Sequence, residues 1–216
     1  MKIGCILPSR GMVFSRTMES VFNNIKNVDI PIELYMAHDL PLPDCFNVPL
    51  QKALDDECDL IWFVEEDMIF PDDTLKKMID DYINGHMAIS TEYADRRTGK
   101  SLVTRNYKGK VLYSGMGCML LDRKIIEKIG KPYLRKSVFW ILKDNNNKVL
   151  GIEPHLELTQ KGYGTQDVWL SWNITNQGHE IYLNKAKVGH MQLMEKSKDC
   201  LDNGQHTIKT VYITET

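Results

Sequence analysis

Short continuous apolar runs alternate along residues 1–90 with segments whose apolar positions recur every three or four residues. The runs Lys2 to Leu7, Ile32 to Ala37, Leu60 to Val64 and Met87 to Ser90 read as buried strands. Between the first two, Met18, Val21, Phe22 and Ile25 fall on one face of a helix predicted over Ser15 to Lys26, with Ser15 as its candidate N-cap. After a loop from His38 to Pro43, a second helix is predicted over Val48 to Glu57. A third begins with Pro71 and Asp72, has Asp73 in its first turn, and aligns Leu75, Met78, Ile79, Tyr82 and Ile83 before Asn84-Gly85 ends it. Strands alternating with amphipathic helices predict a mostly parallel central sheet flanked by helices, a Rossmann-like α/β fold.

The second half is more mixed. Short strands are expected near Val111 to Tyr113 and Cys118 to Leu121, and a helix over Arg123 to Ile129 ends at Gly130, with Pro132 beyond it. Residues 133–160 read as irregular. A helix over Thr165 to Asn176, closed by Gly178, precedes a strand at Ile181 to Leu183. With no repeat, low-complexity tract or linker, 1–216 reads as a single domain, 1–90 forming its nucleotide-binding half and 91–216 its acceptor-side half.

Composition narrows the class only slightly. At 43% hydrophobic and 26% charged, the chain has an ordinary globular balance, and a net charge of −2 gives no global bias toward nucleic acid or anionic membranes. Five scattered cysteines without a CxxC pair fit reduced thiols used as core filler. MKIGCILPSRG reads as a first strand rather than a signal peptide, and no window approaches the length of apolar sequence that a membrane span needs. A cytoplasmic location is the expectation.

The chemistry concentrates in one place. The stretch IWFVEEDMIFPDD, residues 61–73, carries a strand straight into Glu65, Glu66 and Asp67. Adjacent carboxylates repel one another and resist desolvation, so such a cluster needs a cation or open solvent. Ligands of open α/β sheets bind beyond the carboxyl ends of the strands, where these acids fall. If the extended backbone continues, Glu65 and Asp67 point to one side and Glu66 to the other. Two carboxylates beside a crevice are hard oxygen ligands suited to Mg²⁺ or Mn²⁺. Asp72 and Asp73 need no such explanation, because acids suit a helix N-terminus.

A strand ending in acid-x-Asp, then a short apolar stretch, Pro-Asp and a helix, resembles the GT-A fold of nucleotide-sugar glycosyltransferases, in particular family 2-like members. ILPSRG, SGMGCMLLDRKIIEKIG, YGTQDVWLSWNITNQGHEIYLN and VGHMQ resemble further family segments in the same order. The resemblance implies a metal-dependent glycosyltransferase with a nucleotide-sugar donor, expected to be UDP-linked, and Mn²⁺ or Mg²⁺ as cofactor. It implies that Asp67 binds the metal, with His190 as the late histidine ligand, and that Glu65 and Glu66 lie at the donor. The first acid is usually Asp in the family, and Glu65 is one methylene longer. Pro8, Ser9 and Arg10 would line the base and ribose pocket, with Asp39 as a further candidate, and Gly115 and Gly117 would let backbone approach the donor sugar. Asp167 would be the general base that takes the acceptor hydroxyl's proton, although the Glu usual before it is Gln166 here. Without the resemblance, Asp167 reads as a first-turn helix acid with Thr165 as N-cap.

For the acceptor, the chain offers a basic run with Arg96, Arg97, Lys100, Arg105, Lys108 and Lys110, flanked or interrupted by Tyr93 and Tyr107. Such a loop could grip phosphates and stack bases, or could be a solvated surface. An anionic acceptor such as hydroxymethylated pyrimidine DNA of a phage, or a glycan, is therefore considered. Two other readings stand beside transfer of a sugar: a sugar-phosphate nucleotidyltransferase, and a nucleotide-sugar binding module without turnover.

Overall fold

The computed structural model describes residues 1–9, 11–95, 98–155, 166–193 and 208–211. Its centre is a six-stranded sheet built from β1 (Ile3–Ser9), β2 (Ile32–His38), β3 (Leu60–Val64), β5 (Ala88–Thr91), β8 (Cys118–Asp122) and β11 (Ile181–Asn184), in the order β11-β5-β8-β3-β1-β2. The pairs β1 with β2, β1 with β3, and β11 with β5 are parallel. Only β8 runs against its neighbours, inserted between β3 and β5. The mostly parallel α/β sheet expected from the sequence is present.

Helices cover both faces: α1 (Ser15–Lys26), α2 (Asp44–Asp55), α3 (Thr74–Ile83), α4 (Arg123–Ile129) and α5 (Gln166–Asn176). The central strand shows why IWFV reads as continuously apolar. Leu60, Trp62 and Val64 pack into one core cluster with Val21 of α1 and Leu75 and Met78 of α3, while Ile61 and Phe63 pack into the other with Phe46 and Leu50 of α2 and Leu170 of α5. Each face of the strand thus meets its own layer of helices, and no position can be polar without a partner.

Several boundaries differ from the sequence reading, each for a physical reason. Helix α2 begins at Asp44 rather than Val48, because Cys45, Phe46, Leu50, Ala53 and Leu54 form one buried stripe that accommodates Pro49 within it. Ser15 is not the N-cap of α1: Phe14 occupies that place, without a side-chain cap. Phe14 N–H donates instead to the Glu66 carbonyl (3.1 Å), and the Thr17 hydroxyl donates to the same oxygen (3.0 Å). Helix α3 starts at Thr74, with 71–73 outside it. The N–H of Leu75 finds its acceptor on another element, the Oδ1 of fully buried Asn24 at 2.7 Å. Within the stretch read as irregular lies an antiparallel hairpin of β9 (Val138–Lys143) and β10 (Val149–His155).

Smaller strands complete the structure: β6 (Thr104–Arg105) pairs with β7 (Val111–Tyr113). A second sheet joins β4 (Met68–Ile69), β12 (Gly189–Leu193) and β13 (Ile208–Val211) in the order β13-β12-β4. Cys5, Cys45, Cys58 and Cys118 are free thiols, all buried, as the reading of core cysteines expected. No helix among the described residues is long and apolar enough to cross a membrane.

Candidate functional site

At the end of β3 the chain does not stay extended. A turn closes over residues 65–68, with Met68 N–H donating to the Glu65 carbonyl (3.3 Å), and β4 then begins. Three anchors fix the turn. Glu65 N–H donates to the Gly117 carbonyl (3.1 Å), the Glu66 carbonyl accepts from α1, and the Asp67 carbonyl accepts from Met191 N–H (2.8 Å). Glu65 and Asp67 do lie together, but a turn brings this about rather than the alternation of a strand.

The last anchor carries a second consequence. Antiparallel pairing of β12 with β4 sets His190 opposite Met68 and Gly189 opposite Ile69. His190 therefore lands beside Asp67, its Nε2 lying 3.4 Å from Asp67 Oδ1, with both side chains buried. Nδ1 of the imidazole is 3.0 Å from the Ala94 carbonyl, which can only accept, so Nδ1 carries the proton in that bond. Nε2 is buried without a hydrogen-bond partner. Ligand atoms of Glu65, Asp67 and His190 all lie within 4.8 Å of one another. Two carboxylates and an imidazole whose far nitrogen is held by a carbonyl could hold a divalent cation, and the orphaned Nε2 is what such an ion would satisfy.

A cavity of about 420 Å³ opens against this cluster. Its lining brings together Pro8 and Ser9 at the end of β1, and Glu65, Glu66 and Asp67 after β3. An apolar wall from the loop before α2 and the helix's first turn includes Leu40, Leu42 and Phe46. Lys136 and Gln166 line it as well. Ser9 is buried and accepts from Gly11 N–H (3.1 Å). Cys45 also lines the space, and burial, reinforced by Glu65, Glu66 and Asp44, pushes its thiol up to about 11.

Other expected site residues fall elsewhere. Asp39 is exposed, at φ 57°, and does not line the cavity. Gly115 and Gly117 do not line it either; they make room for Tyr93. A Cβ at Gly115 would stand 2.1 Å from the Tyr93 hydroxyl oxygen, and one at Gly117 2.8 Å from both that oxygen and Met68 Sδ. The Tyr93 oxygen accepts from Gly117 N–H (2.8 Å), and its ring meets His190 edge to face at 5.4 Å. Tyr93 thus braces both arms of the cluster, one through Gly117 and Glu65, the other through His190. Burial, with Glu65 and Asp167 adding to it, raises its phenol well above the ordinary value and keeps it neutral.

Asp167 is half-buried at the start of α5, where its Oδ2 accepts from the Tyr113 hydroxyl (2.7 Å). Helix α5 is tied to the segment after β7 by a reciprocal pair: Ser114 N–H donates to Ser171 Oγ (3.2 Å), and that hydroxyl donates to the Ser114 carbonyl (3.1 Å). Its neighbour Gln166, 3% exposed, lines the cavity, and its Oε1 has no hydrogen-bond partner. Arg10, Arg96, Arg97 and Thr165 lie outside the described residues. Within the basic run, Arg105 is engaged by both carboxylate oxygens of Glu92 (3.2 and 2.7 Å), which holds that carboxyl below its ordinary range. Lys108 stands 5.5 Å from the Tyr107 ring.

Sequence reasoning missed Lys136. It lies in a stretch without periodicity, and only its place in the cavity lining marks it. Gln166 was visible as a departure from the family pattern, but not as a residue of the cavity wall.

No family model matches the chain, and no curated protein matches it. Among solved structures, A197 from STIV is similar at a TM-score of 0.56 and 16% identity, over 100% of this chain and 96% of that one. That likeness spans the chain and shows the α/β fold. A 4-diphosphocytidyl-2C-methyl-D-erythritolsynthase from Anaerococcus prevotii is similar at a TM-score of 0.46 and 12% identity, over 85% of this chain and 88% of that one. HddC from Yersinia pseudotuberculosis, complexed with GMP-PN, has a TM-score of 0.43 and 12% identity, over 87% and 92% of the two chains. Scores that low carry no argument about this chain.

Proposed function

We propose that the chain is a metal-dependent glycosyltransferase, with residues 1–216 acting as one domain that moves a sugar from a nucleotide-sugar donor, expected to be UDP-linked, to an acceptor hydroxyl. The observation that carries the reading is the convergence of Glu65, Asp67 and His190 at the carboxyl end of β3, on the edge of a cavity of about 420 Å³. A bound Mg²⁺ or Mn²⁺ supplies electrostatic stabilisation for the charge that gathers on a departing diphosphate.

The chain's own groups divide the remaining work. Pro8 and Ser9 with the Leu40–Phe46 wall take the base and ribose, an apolar surface with few polar groups, as nucleotide pockets usually are. Glu65, Asp67 and His190 hold the metal, and Glu66 faces the donor from the same turn. Asp167, oriented by the Tyr113 hydroxyl, accepts the acceptor's proton as the new bond forms from the acceptor oxygen to the anomeric carbon. The bond from that carbon to the phosphate oxygen breaks with its electron pair going to the phosphate. The acceptor, a glycan or hydroxymethylated DNA, approaches from the side of the 98–113 segment.

The metal cluster and cavity fit nucleotidyl transfer to a sugar phosphate equally well, and the products separate the two. Incubated with Mn²⁺, nucleotide sugars and hydroxyl acceptors, the protein is expected to release a nucleoside diphosphate. Release of pyrophosphate from a nucleoside triphosphate and a sugar phosphate would establish the nucleotidyltransferase instead. Binding without either product would leave a non-catalytic module. Asp67→Ala is expected to abolish metal-dependent binding of the nucleoside diphosphate. If that variant behaves as wild type in binding and turnover, the reading is wrong.

A further inference from the structure

Tyr93 is 2% exposed and does not line the cavity, yet it contacts two of the segments that carry the metal cluster. Its own segment, just after β5, is clamped to residues 101–102. Leu102 N–H donates to the Tyr93 carbonyl (3.0 Å), and Ala94 is bridged to Ser101. From this base the phenol enters a slot between Gly115 and Gly117. A Cβ at Gly115 would stand 2.1 Å from the hydroxyl oxygen and 2.8 Å from Cζ; one at Gly117 would stand 2.8 Å from each of these atoms. Neither glycine has a positive φ, so what both positions require is room for the phenol. A ring that served only to fill the core would need neither a polar tip nor two positions without side chains.

Each end of the phenol meets a different arm of the cluster. The hydroxyl oxygen accepts from Gly117 N–H (2.8 Å), and the Gly117 carbonyl in turn accepts from Glu65 N–H (3.1 Å). Gly117 has no side chain to fix it, so the hydroxyl and Glu65 together set where the acidic turn begins. The ring stands perpendicular to the His190 imidazole at 5.4 Å, within the range of an aromatic contact. The torsion that orients an imidazole has broad wells, and the bond from Nδ1 to the Ala94 carbonyl leaves the ring free to pivot about that axis. The Tyr93 ring closes that pivot, and Ala94, the next residue, supplies the bond.

We propose that Tyr93 is a positioning residue for the divalent cation: its hydroxyl fixes the Glu65 arm through Gly117, and its ring fixes the plane of the His190 imidazole. The glycine pair of the SGMG stretch, 114–117, is then a slot for this phenol rather than a surface for the donor sugar. The assignment rests on the metal site of the transferase reading and names what holds that site in shape.

Titration of the full chain with Mn²⁺ alone, followed by calorimetry and pulsed paramagnetic resonance, tests the assignment. Tyr93→Phe keeps the ring and removes the hydroxyl. It is expected to weaken Mn²⁺ by about tenfold, the lower end of the range for outer partners of metal ligands, while the imidazole nitrogen coupling of the bound ion persists. Tyr93→Leu removes the ring as well and is expected to lose that coupling. Gly115→Ala is expected to weaken Mn²⁺ as Tyr93→Phe does, because its methyl displaces the hydroxyl. A Gly115→Ala protein that loses affinity for UDP-glucose but binds Mn²⁺ as wild type overturns the assignment, since Gly115 would then serve the donor sugar. So does a Tyr93→Phe protein whose melting temperature falls while its Mn²⁺ affinity stays at the wild-type value, the mark of packing alone. Should Tyr93→Leu fail to fold, Tyr93→Phe against wild type still decides. If wild type binds no Mn²⁺, or Asp67→Ala binds it as tightly, the metal reading fails and this assignment falls with it.

Discussion

His190 carries the strongest mark of a ligand in the molecule. It is 6% exposed, its Nδ1 is committed to the Ala94 carbonyl, and its Nε2 has no hydrogen-bond partner beside a carboxylate oxygen 3.4 Å away. A histidine serving only the core would satisfy both nitrogens or keep one in solvent. Losing an outer partner of a metal ligand typically costs about ten- to hundredfold in affinity, and losing the ligand itself should cost at least as much. His190→Ala is therefore expected to weaken Mn²⁺ binding by tenfold or more in a calorimetric or paramagnetic-resonance titration. Unchanged Mn²⁺ affinity would return His190 to a packing role. At this scale the sequence was informative about residue types: three acids after an apolar strand already pointed to a cation. Strand alternation alone would turn Glu66 away from Glu65 and Asp67, and only the turn at 65–68 explains why all three line one cavity.

Between elements, the polar side chains that matter are those that replace local caps. Asn24 of α1 is fully buried; its Nδ2 donates to the carbonyls of Ser20 (2.9 Å) and Pro71 (2.8 Å), and its Oδ1 caps Leu75 N–H of α3. That one amide couples α1 to the start of α3, the helix that follows the acidic turn. Asn24→Ala would leave Leu75 N–H buried and unpaired and the Pro71 carbonyl with Thr74 N–H as its remaining donor, a loss of about 1–3 kcal/mol. The denaturant midpoint of the variant should fall accordingly; a change within about 0.5 kcal/mol, as for an ordinary surface substitution, would refute the coupling. Helix existence was legible from apolar periodicity, and α1 and α4 fall where the pattern predicts. Their caps were not legible, because the partners come from elements distant in sequence. The β9–β10 hairpin was overlooked for a related reason: it lies outside the alternation of strand and helix that organises the first half.

Over the whole molecule, the buried titrating groups set the response to pH. Burial pushes the thiols of Cys45 and Cys118 up to about 11, from an ordinary 9.0, and the Tyr82 phenol, partly buried and donating to Asp122 (2.8 Å), to about 12. These groups keep their protons in the folded chain at pH values where the unfolded chain releases them. The unfolded state then binds fewer protons, so stability is full below about pH 9 and falls as pH rises toward 11–12. A melting-temperature profile flat near neutrality and declining above about pH 9 is the expected result, and Cys118→Ala should reduce the alkaline slope, whatever its effect at neutral pH. An unchanged slope would mean that Cys118 adds nothing to the decline. By itself, the sequence determined the layered α/β sheet, because buried strands and amphipathic helices impose their periods on local stretches of chain. It also placed an acidic cluster at a strand end, since the charges adjoin an apolar run. Only the tertiary structure decided which distant side chains join that cluster. His190 arrives through the pairing of β12 with β4, and Lys136 reaches the cavity lining two residues after Leu134, which Asn47 of α2 holds. Long-range register and side-chain hydrogen bonds set both placements, and neither leaves a periodic trace along the chain.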